Sequence, residues 1–259
     1  MNREQREEIR DRLVTAYAAG GLWGVTEPAW LLPSGMVRGT DEHLAYLTLV
    51  YTISGGREPQ MLWAAARQTF AADAALFDPQ FLAFANPPTL APRLQKHGLS
   101  QKPMSEATVW QRIGQALVMR AGGSVIRLLA DHENDALQLL AMLANSKTTF
   151  PVLSGPQTAP RWLYGITAVG QYPLKNSDQL TVPVSPAAAR ALDSLTLPAS
   201  QVSAGVFDAL DALGRYGCSQ RKPASTVCPV APSCPVADFC QYSVTAGDNR
   251  TPDGDRSEL

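Results

Sequence analysis

Residues 214–240 read GRYGCSQRKPASTVCPVAPSCPVADFC and contain every cysteine of this 259-residue chain. The four are Cys218, Cys228, Cys234 and Cys240, and none occurs among the 217 residues before them. Four thiolates brought together by one loop can hold a tetrahedral zinc ion or an iron–sulfur cluster. The cysteine segment, as we call residues 218–240, therefore predicts a metal centre.

Two disulfides in a secreted protein are the alternative interpretation of these cysteines. Residues 1–12 are highly charged and lack the apolar core of a signal peptide. Clustered cysteines in a large intracellular domain more often bind metal than form disulfides. We therefore expect a cytoplasmic protein with a metal site.

The spacing of the cysteines helps to choose between the two metals. Successive cysteines are separated by nine, five and five residues, and no histidine lies in the segment. Structural zinc sites usually pair cysteines two to four residues apart. Cys228 and Cys234 each precede a proline, which keeps the backbone extended around the site. These features favour a [4Fe–4S] cluster over zinc.

The cysteine segment and the residues before it resemble the cluster loop of the endonuclease III family. This family comprises the iron–sulfur members of the helix-hairpin-helix DNA glycosylase superfamily. The matching parts are Gly214-Arg215-Tyr216, the basic stretch Arg221-Lys222-Pro223, and the five-residue gap that ends at Cys240. The earlier gaps between cysteines are longer here than in the family. The resemblance implies that the four cysteines bind a [4Fe–4S] cluster and that Arg221 and Lys222 contact DNA.

A second match lies upstream, where residues 150–159 read FPVLSGPQTA. This stretch resembles the hairpin of the superfamily, whose amides hold a DNA phosphate at the start of a helix. The resemblance implies DNA contacts at Ser154, Gly155 and Thr158, and we expect Pro156 in the first helical turn. An ordinary connection between two helices is the alternative.

The resemblance also identifies two catalytic positions, and both differ here. Gln157 stands where bifunctional members have a lysine that forms a Schiff base with the sugar. Ser185, followed by Arg190, stands where the family has an aspartate that stabilises positive charge. A substitute amine could come from Lys147 through a shifted alignment or from Lys175, and Asp178 is a further candidate. These replacements predict a protein without AP lyase activity.

The resemblance therefore implies a DNA-binding protein of the base excision repair type. Its partner would be double-stranded DNA with a damaged or modified base, and we expect a monomer, associated with the nucleoid if the source is bacterial. Two alternatives remain. The chain could recognise lesions without catalysis, or act on modified bases or nucleotides with a rearranged pocket.

Composition agrees with a globular helical protein. Hydrophobic residues make up 45% and charged residues 17% of the chain, and the net charge is −1. The near-neutral charge implies few phosphate contacts. No apolar run is long enough to span a membrane.

The expected fold is all-α and two-lobed, like that of helix-hairpin-helix DNA glycosylases, with an iron–sulfur loop near the C-terminus. One lobe would combine residues 1–35 with 176–243, the other would hold residues 36–175, and residues 244–259 would form a disordered tail. Apolar periodicity predicts helices over 2–19, 41–53, 59–71, 103–119 and 200–216, another capped by Asp131, and a strand over 179–184. We expect Trp23, Trp30, Trp63 and Trp110 in the core.

Overall fold

The computed structural model describes residues 2–20, 22, 32–55, 57–222, 225 and 227–242. Helices dominate this part of the chain, which agrees with the predicted all-α fold. In chain order the helices are α1 (Arg3–Ala18), α2 (Asp41–Tyr51), α3 (Pro59–Ala72), α4 (Pro79–Phe84), α5 (Pro87–Gln95), α6 (Pro103–Ala121), α7 (Val125–Ala130), α8 (Ala136–Ala144), α9 (Thr158–Ala168), α10 (Pro186–Ser194) and α11 (Ala204–Ala212). Two short strands, β1 (Thr181–Pro183) and β2 (Gln201–Ser203), pair antiparallel.

The chain divides into two compact units. The first unit holds α1, α10, most of α11 and the cysteine segment. The second unit holds α2 to α9 and both strands. Residues 244–259, which we expect to form a tail, lie outside the described residues. Where the structure describes the chain, no helix combines the length and the apolar character that a bilayer crossing requires.

Helix α2 forms the centre of the second unit. Every residue from His43 to Tyr51 is buried, as its continuous apolar sequence predicts. Two tryptophans from other helices donate indole hydrogen bonds to it. Trp110 Nε1 bonds the carbonyl of Leu49 at 3.1 Å, and Trp162 Nε1 bonds Thr48 Oγ1 at 2.9 Å. Each bond satisfies a polar group that would otherwise be buried without a partner.

The structure describes two of the four tryptophans that the sequence predicts to lie in the core. Trp63 and Trp110 are buried, as predicted. Tyr46 of α2 joins them in an aromatic cluster, because its ring centroid lies 6.0 Å from that of Trp63 and 5.1 Å from that of Phe77. Trp23 and Trp30 lie outside the described residues.

Three predicted helix boundaries are wrong. Asp131 ends α7, whereas Asp135 caps α8 by accepting the N–H groups of Leu137 and Gln138. The predicted helix over 200–216 is broken, because residues 201–203 pair with β1 and residues 213–217 form a π-helical turn. Pro156 precedes α9, which begins at Thr158.

Candidate nucleic-acid interface and metal centre

The hairpin before α9 closes on itself through its own backbone. The Ser154 N–H donates to the carbonyl of Phe150 at 3.0 Å, and the Gly155 N–H donates to the carbonyl of Val152 at 2.9 Å. The two amides that the sequence predicts as phosphate donors are therefore engaged inside the hairpin. Val152 turns the chain with a φ of +64°, a conformation that favours glycine.

The start of α9 is more open to a ligand than the hairpin itself. Gln157 is the N-cap residue of α9, and Thr158 begins the helix. Among the described residues, no backbone carbonyl accepts the N–H of either residue. The first amides of a helix lack partners within the helix and attract anions. Of the residues that the sequence predicts as phosphate contacts, Ser154 and Gly155 use their amides within the hairpin, whereas the Thr158 amide donates to no backbone carbonyl of the described residues.

The side chain of Gln157 is exposed and reaches the end of β1. Its Nε2 donates to the carbonyl of Pro183 at 3.3 Å. The lysine candidate Lys175 lies elsewhere in the second unit, where its backbone pairs with Asn134 and Ala136. Gln157 thus acts in this structure as an uncharged hydrogen-bond donor.

Ser185 caps the first turn of α10 in the first unit. Its Oγ accepts the N–H of Ala188 at 3.0 Å, because a serine before Pro186 is a favourable N-cap. The same hydroxyl donates to Oδ1 of Asp211, near the end of α11. The other oxygen of Asp211 accepts from Arg215 Nε in an ion pair. Sequence reasoning missed Asp211, although its four-residue spacing from Arg215 predicts an ion pair on one helical face.

Helix α10 and the turn that leads to Cys218 pack through their backbones. A Cβ on Gly214 would lie 1.9 Å from the carbonyl oxygen of Ala187, so only glycine fits at this point. Arg190 Nη1 donates to the carbonyl of Gly214 at 3.0 Å. This contact fixes the π-helical turn directly before the first cysteine.

The four cysteines line a single cavity in the first unit. The cysteines are half-buried. Leu195, Leu213 and Val236 also line this cavity. Within the part of the chain that the structure describes, no three metal-binding side chains stand close enough together to hold one ion.

Burial governs the acidity of the thiols. It raises the pKa of Cys234 to about 11 and also raises the pKa values of Cys218 and Cys240. A hydrogen bond with Ser194, at the end of α10, lowers the pKa of Cys218 and so offsets part of the effect of burial. The metal-free thiols of Cys218, Cys234 and Cys240 are thus mostly protonated at neutral pH, and metal binding there must release protons.

The basic residues of the cysteine segment have different surroundings. The guanidinium carbon of Arg221 lies 3.7 Å from the centroid of the Tyr242 ring, and Nη1 donates to the carbonyl of Ser225 at 3.1 Å. Lys222 is exposed. Arg221 therefore holds the loop together, whereas Lys222 is available to a ligand.

Helix α1 contacts the far end of the same segment. Arg12 Nη1 bonds Oδ2 of Asp238 at 3.1 Å, and its guanidinium carbon lies 5.3 Å from the ring centroid of Phe239. Both partners lie between the last two cysteines. No feature of the sequence predicts this contact, because its members are 226 residues apart.

Comparison with known proteins agrees with the predicted fold. No family model and no curated protein matches the sequence. The structure is similar to the solved structure of a trapped covalent intermediate of endonuclease III with DNA, an estranged-adenine complex. The TM-score is 0.51 and the identity 14%, over 94% of this chain and 97% of the other. The chain therefore has the endonuclease III fold.

Proposed function

We propose that the chain is a DNA-binding protein that recognises a damaged or modified base in double-stranded DNA, as in base excision repair, and that it lacks AP lyase activity. The observation that carries the proposal is the position of Gln157 at the first turn of α9, within a fold similar to that of endonuclease III. The solved neighbour is a complex with DNA.

The amides at the start of α9 are the best candidates for holding a DNA phosphate. They are the N–H of Thr158, which the sequence predicts as a contact, and the N–H of Gln157 next to it, since the amides of Ser154 and Gly155 bond within the hairpin. A phosphate there would satisfy donors that the helix leaves open. Lys222, which is exposed, supplies a second contact by charge. Few such contacts are expected for a chain with a net charge of −1.

The absence of lyase activity follows from the chemistry of Gln157. A Schiff base forms between an amine and the opened sugar, and a carboxamide nitrogen is not nucleophilic enough for this step. Its Nε2 is also engaged with the carbonyl of Pro183. Without the covalent intermediate, the chain can release a base only by hydrolysis.

Borohydride trapping tests the proposal. Duplex DNA with one abasic site is incubated with the protein and reduced, and binding to the same duplex is measured in parallel. We expect binding without a covalent adduct. The Gln157→Lys variant serves as the matched control, because it restores the amine at the same position. A trapped adduct in the unaltered protein would refute the lyase statement, and Lys147 and Lys175 would be the first residues to replace.

The cysteine segment is proposed to bind a [4Fe–4S] cluster through Cys218, Cys228, Cys234 and Cys240. A tetrahedral zinc ion needs its four sulfurs within about 3.8 Å of each other, from zinc–sulfur bonds of about 2.3 Å. A four-iron cluster instead takes one thiolate at each of four separate irons, so its ligands stand further apart. Four cysteines that line one cavity and are spaced widely along the chain therefore favour the cluster. When bound, such a cluster supplies four iron–thiolate bonds that hold the loop folded.

Iron analysis tests the cluster. Protein purified without oxygen should be brown, absorb broadly near ~400 nm and contain about four irons per chain. Cys234→Ala should lose the iron and lower the melting temperature of the first unit, because metal binding contributes folding energy. Ser233→Ala is the matched control and should retain the iron. One zinc per chain in a colourless protein would contradict the proposal.

A further inference from the structure

We propose that the hydroxyl of Ser194 donates a hydrogen bond to the sulfur of Cys218 when the cysteine segment holds its metal centre, and that this bond raises the reduction potential of the proposed cluster. The inference rests on the proposed [4Fe–4S] cluster, because it assigns a residue that acts on one of the ligands. Ser194 acts through Cys218 and is therefore a positioning residue.

Ser194 gives the cavity of the four cysteines its polar wall. Among the described residues, it is the only one lining the cavity, apart from the cysteines, that has a polar side chain. The other lining residues are apolar. Ser194 is only 3% exposed, so water does not compete for its hydroxyl. A buried hydroxyl beside four sulfurs needs a partner, and the cavity offers it sulfur.

The backbone of Ser194 holds the hydroxyl within reach of Cys218. The last carbonyls of a helix lack partners within the helix. Gln241, which follows the last cysteine, satisfies two of those in α10. Its N–H donates to the carbonyl of Ser194 at 3.0 Å, and its Nε2 donates to the carbonyl of Asp193 at 2.8 Å. Ser194 is thus bonded to both ends of the cysteine segment, since its side chain lies within hydrogen-bond reach of Cys218.

The single proton of the hydroxyl has two acceptors in reach. In this structure Ser194 Oγ donates to the carbonyl of Arg190 at 3.0 Å. An α-helix already satisfies such a carbonyl with the N–H four residues further on, so the hydroxyl can leave it without a penalty. A metal-bound thiolate is a charged acceptor, and charge-assisted hydrogen bonds are about twice as strong as neutral ones. The hydroxyl therefore turns from Arg190 to Cys218 once Cys218 is a ligand.

A donor at this sulfur favours the reduced state. One added electron places part of its negative charge on the thiolate ligands, so a hydrogen bond to a ligand is stronger after reduction. The backbone N–H of Tyr242, which donates to Cys240 Sγ at 3.4 Å, acts in the same direction. The hydroxyl of Ser194, unlike that amide, can be removed by substitution.

Voltammetry of the full-length, cluster-loaded protein tests the inference, with the electrode supplying and removing the electron. Ser194→Ala should disfavour reduction by about tenfold, the effect of one hydrogen bond to a charged group, which lowers the potential by about 59 mV for one electron. Ser219→Ala is the matched control. Ser219 is exposed, directly follows Cys218, and also donates to the carbonyl four residues before it, so its loss should not change the potential. Equal potentials for Ser194→Ala and the unaltered protein overturn the inference.

A second pair of variants separates the hydrogen bond from the packing of Ser194. Threonine and valine have nearly the same shape, but only threonine has a hydroxyl. Ser194→Thr should keep the potential of the unaltered protein, whereas Ser194→Val should lower it. A purely structural role would change both potentials alike. Equal potentials for these two variants overturn the inference even if Ser194→Ala loses its metal.

The metal content of the unaltered protein separates this inference from the proposed cluster. If the protein holds zinc, the cluster is refuted, and cobalt in the zinc site tests the hydrogen bond. The sulfur-to-cobalt charge-transfer band should then move to longer wavelength in Ser194→Ala, because a hydrogen bond stabilises the sulfur electrons. An unmoved band overturns the role of Ser194. A protein that binds neither metal overturns both proposals.

Discussion

Val152 adopts a left-handed backbone conformation that β-branched residues rarely adopt. A β-branched side chain at a φ of +64° crowds the backbone, and such strain costs about 1–3 kcal/mol. Val152→Gly should relieve it and, after the entropy cost of glycine, stabilise the second unit by about 1 kcal/mol. That corresponds to a rise in melting temperature of about 2–4 °C.

Val37→Gly is the matched control for this measurement. Val37 is exposed, and its backbone does not adopt a positive φ. Glycine there should lower the melting temperature, because it only adds freedom to the unfolded chain. Equal decreases for both variants would show that Val152 is not strained.

His43 makes the stability of the second unit depend on pH. The ring is buried in α2, and Nε2 has no partner among the described residues. Burial, with the nearby charge of Arg38, lowers the pKa of His43 to about 4. The unfolded chain takes up the proton below about pH 6.5 and the folded chain only near pH 4. Stability is therefore lost as the pH falls through this range, by about 2 kcal/mol between pH 7 and pH 5.

Urea unfolding at the two pH values measures this loss. His43→Leu cannot take up a proton, so its free energy of unfolding should change less between pH 7 and pH 5 than that of the unaltered protein. His132→Gln is the control and should follow the unaltered protein. A decrease in the His43→Leu protein as large as that of the unaltered chain would show that other groups cause the effect.

At the scale of elements, the contact between α10 and the π-helical turn is the most sensitive to substitution. In Gly214→Ala, the new methyl group would overlap the carbonyl group of Ala187. Because this carbonyl belongs to the backbone of α10, it cannot rotate away as a side chain could. We expect a loss of about 3 kcal/mol or more in the first unit. The melting temperature, measured by circular dichroism, should decrease, and so should the iron content that we expect from the proposed cluster.

Gly55→Ala provides the comparison for Gly214→Ala. A Cβ on Gly55 would meet no atom of the described residues within 4 Å. Its melting temperature should therefore stay close to that of the unaltered protein. A similar melting temperature for Gly214→Ala would mean that α10 and the turn can move apart without cost.

Local sequence signals predicted those parts of the fold that depend on neighbouring residues. The burial of α2 and the start of α6 at Pro103 follow from apolar patterning and from proline in a first turn. The pairing of Ser185 with Asp211 and the contact of Arg12 with Asp238 could not be predicted, because both join distant segments. The break at residues 201–203 was missed for the same reason, since their strand partner lies near residue 182.

At the scale of the whole molecule, a net charge of −1 limits the number of phosphate contacts in the DNA binding that we propose. With few phosphate contacts, the affinity should depend only weakly on salt. Lys222→Gln should weaken binding equally for all duplex sequences and reduce the salt slope by about one. Fluorescence anisotropy at several salt concentrations measures both quantities.

Arg3→Gln is the charge-matched control for Lys222→Gln. Arg3 is exposed on α1 and pairs with Glu7 at 2.8 Å. Its replacement removes one positive charge but no expected phosphate contact, so the salt slope should not change. Equal slopes for the Lys222→Gln variant and the unaltered protein would exclude Lys222 from the DNA contact.

The bond between Arg12 and Asp238 also dictates an order of assembly during synthesis. A ribosome that adds about 5–20 residues per second needs roughly 10–45 s to travel the 226 residues between them. Helix α1 therefore lacks this partner until the ribosome has translated the cysteine segment as far as Asp238. The last two cysteines are translated in the same interval, so the proposed metal site receives its full set of ligands only then.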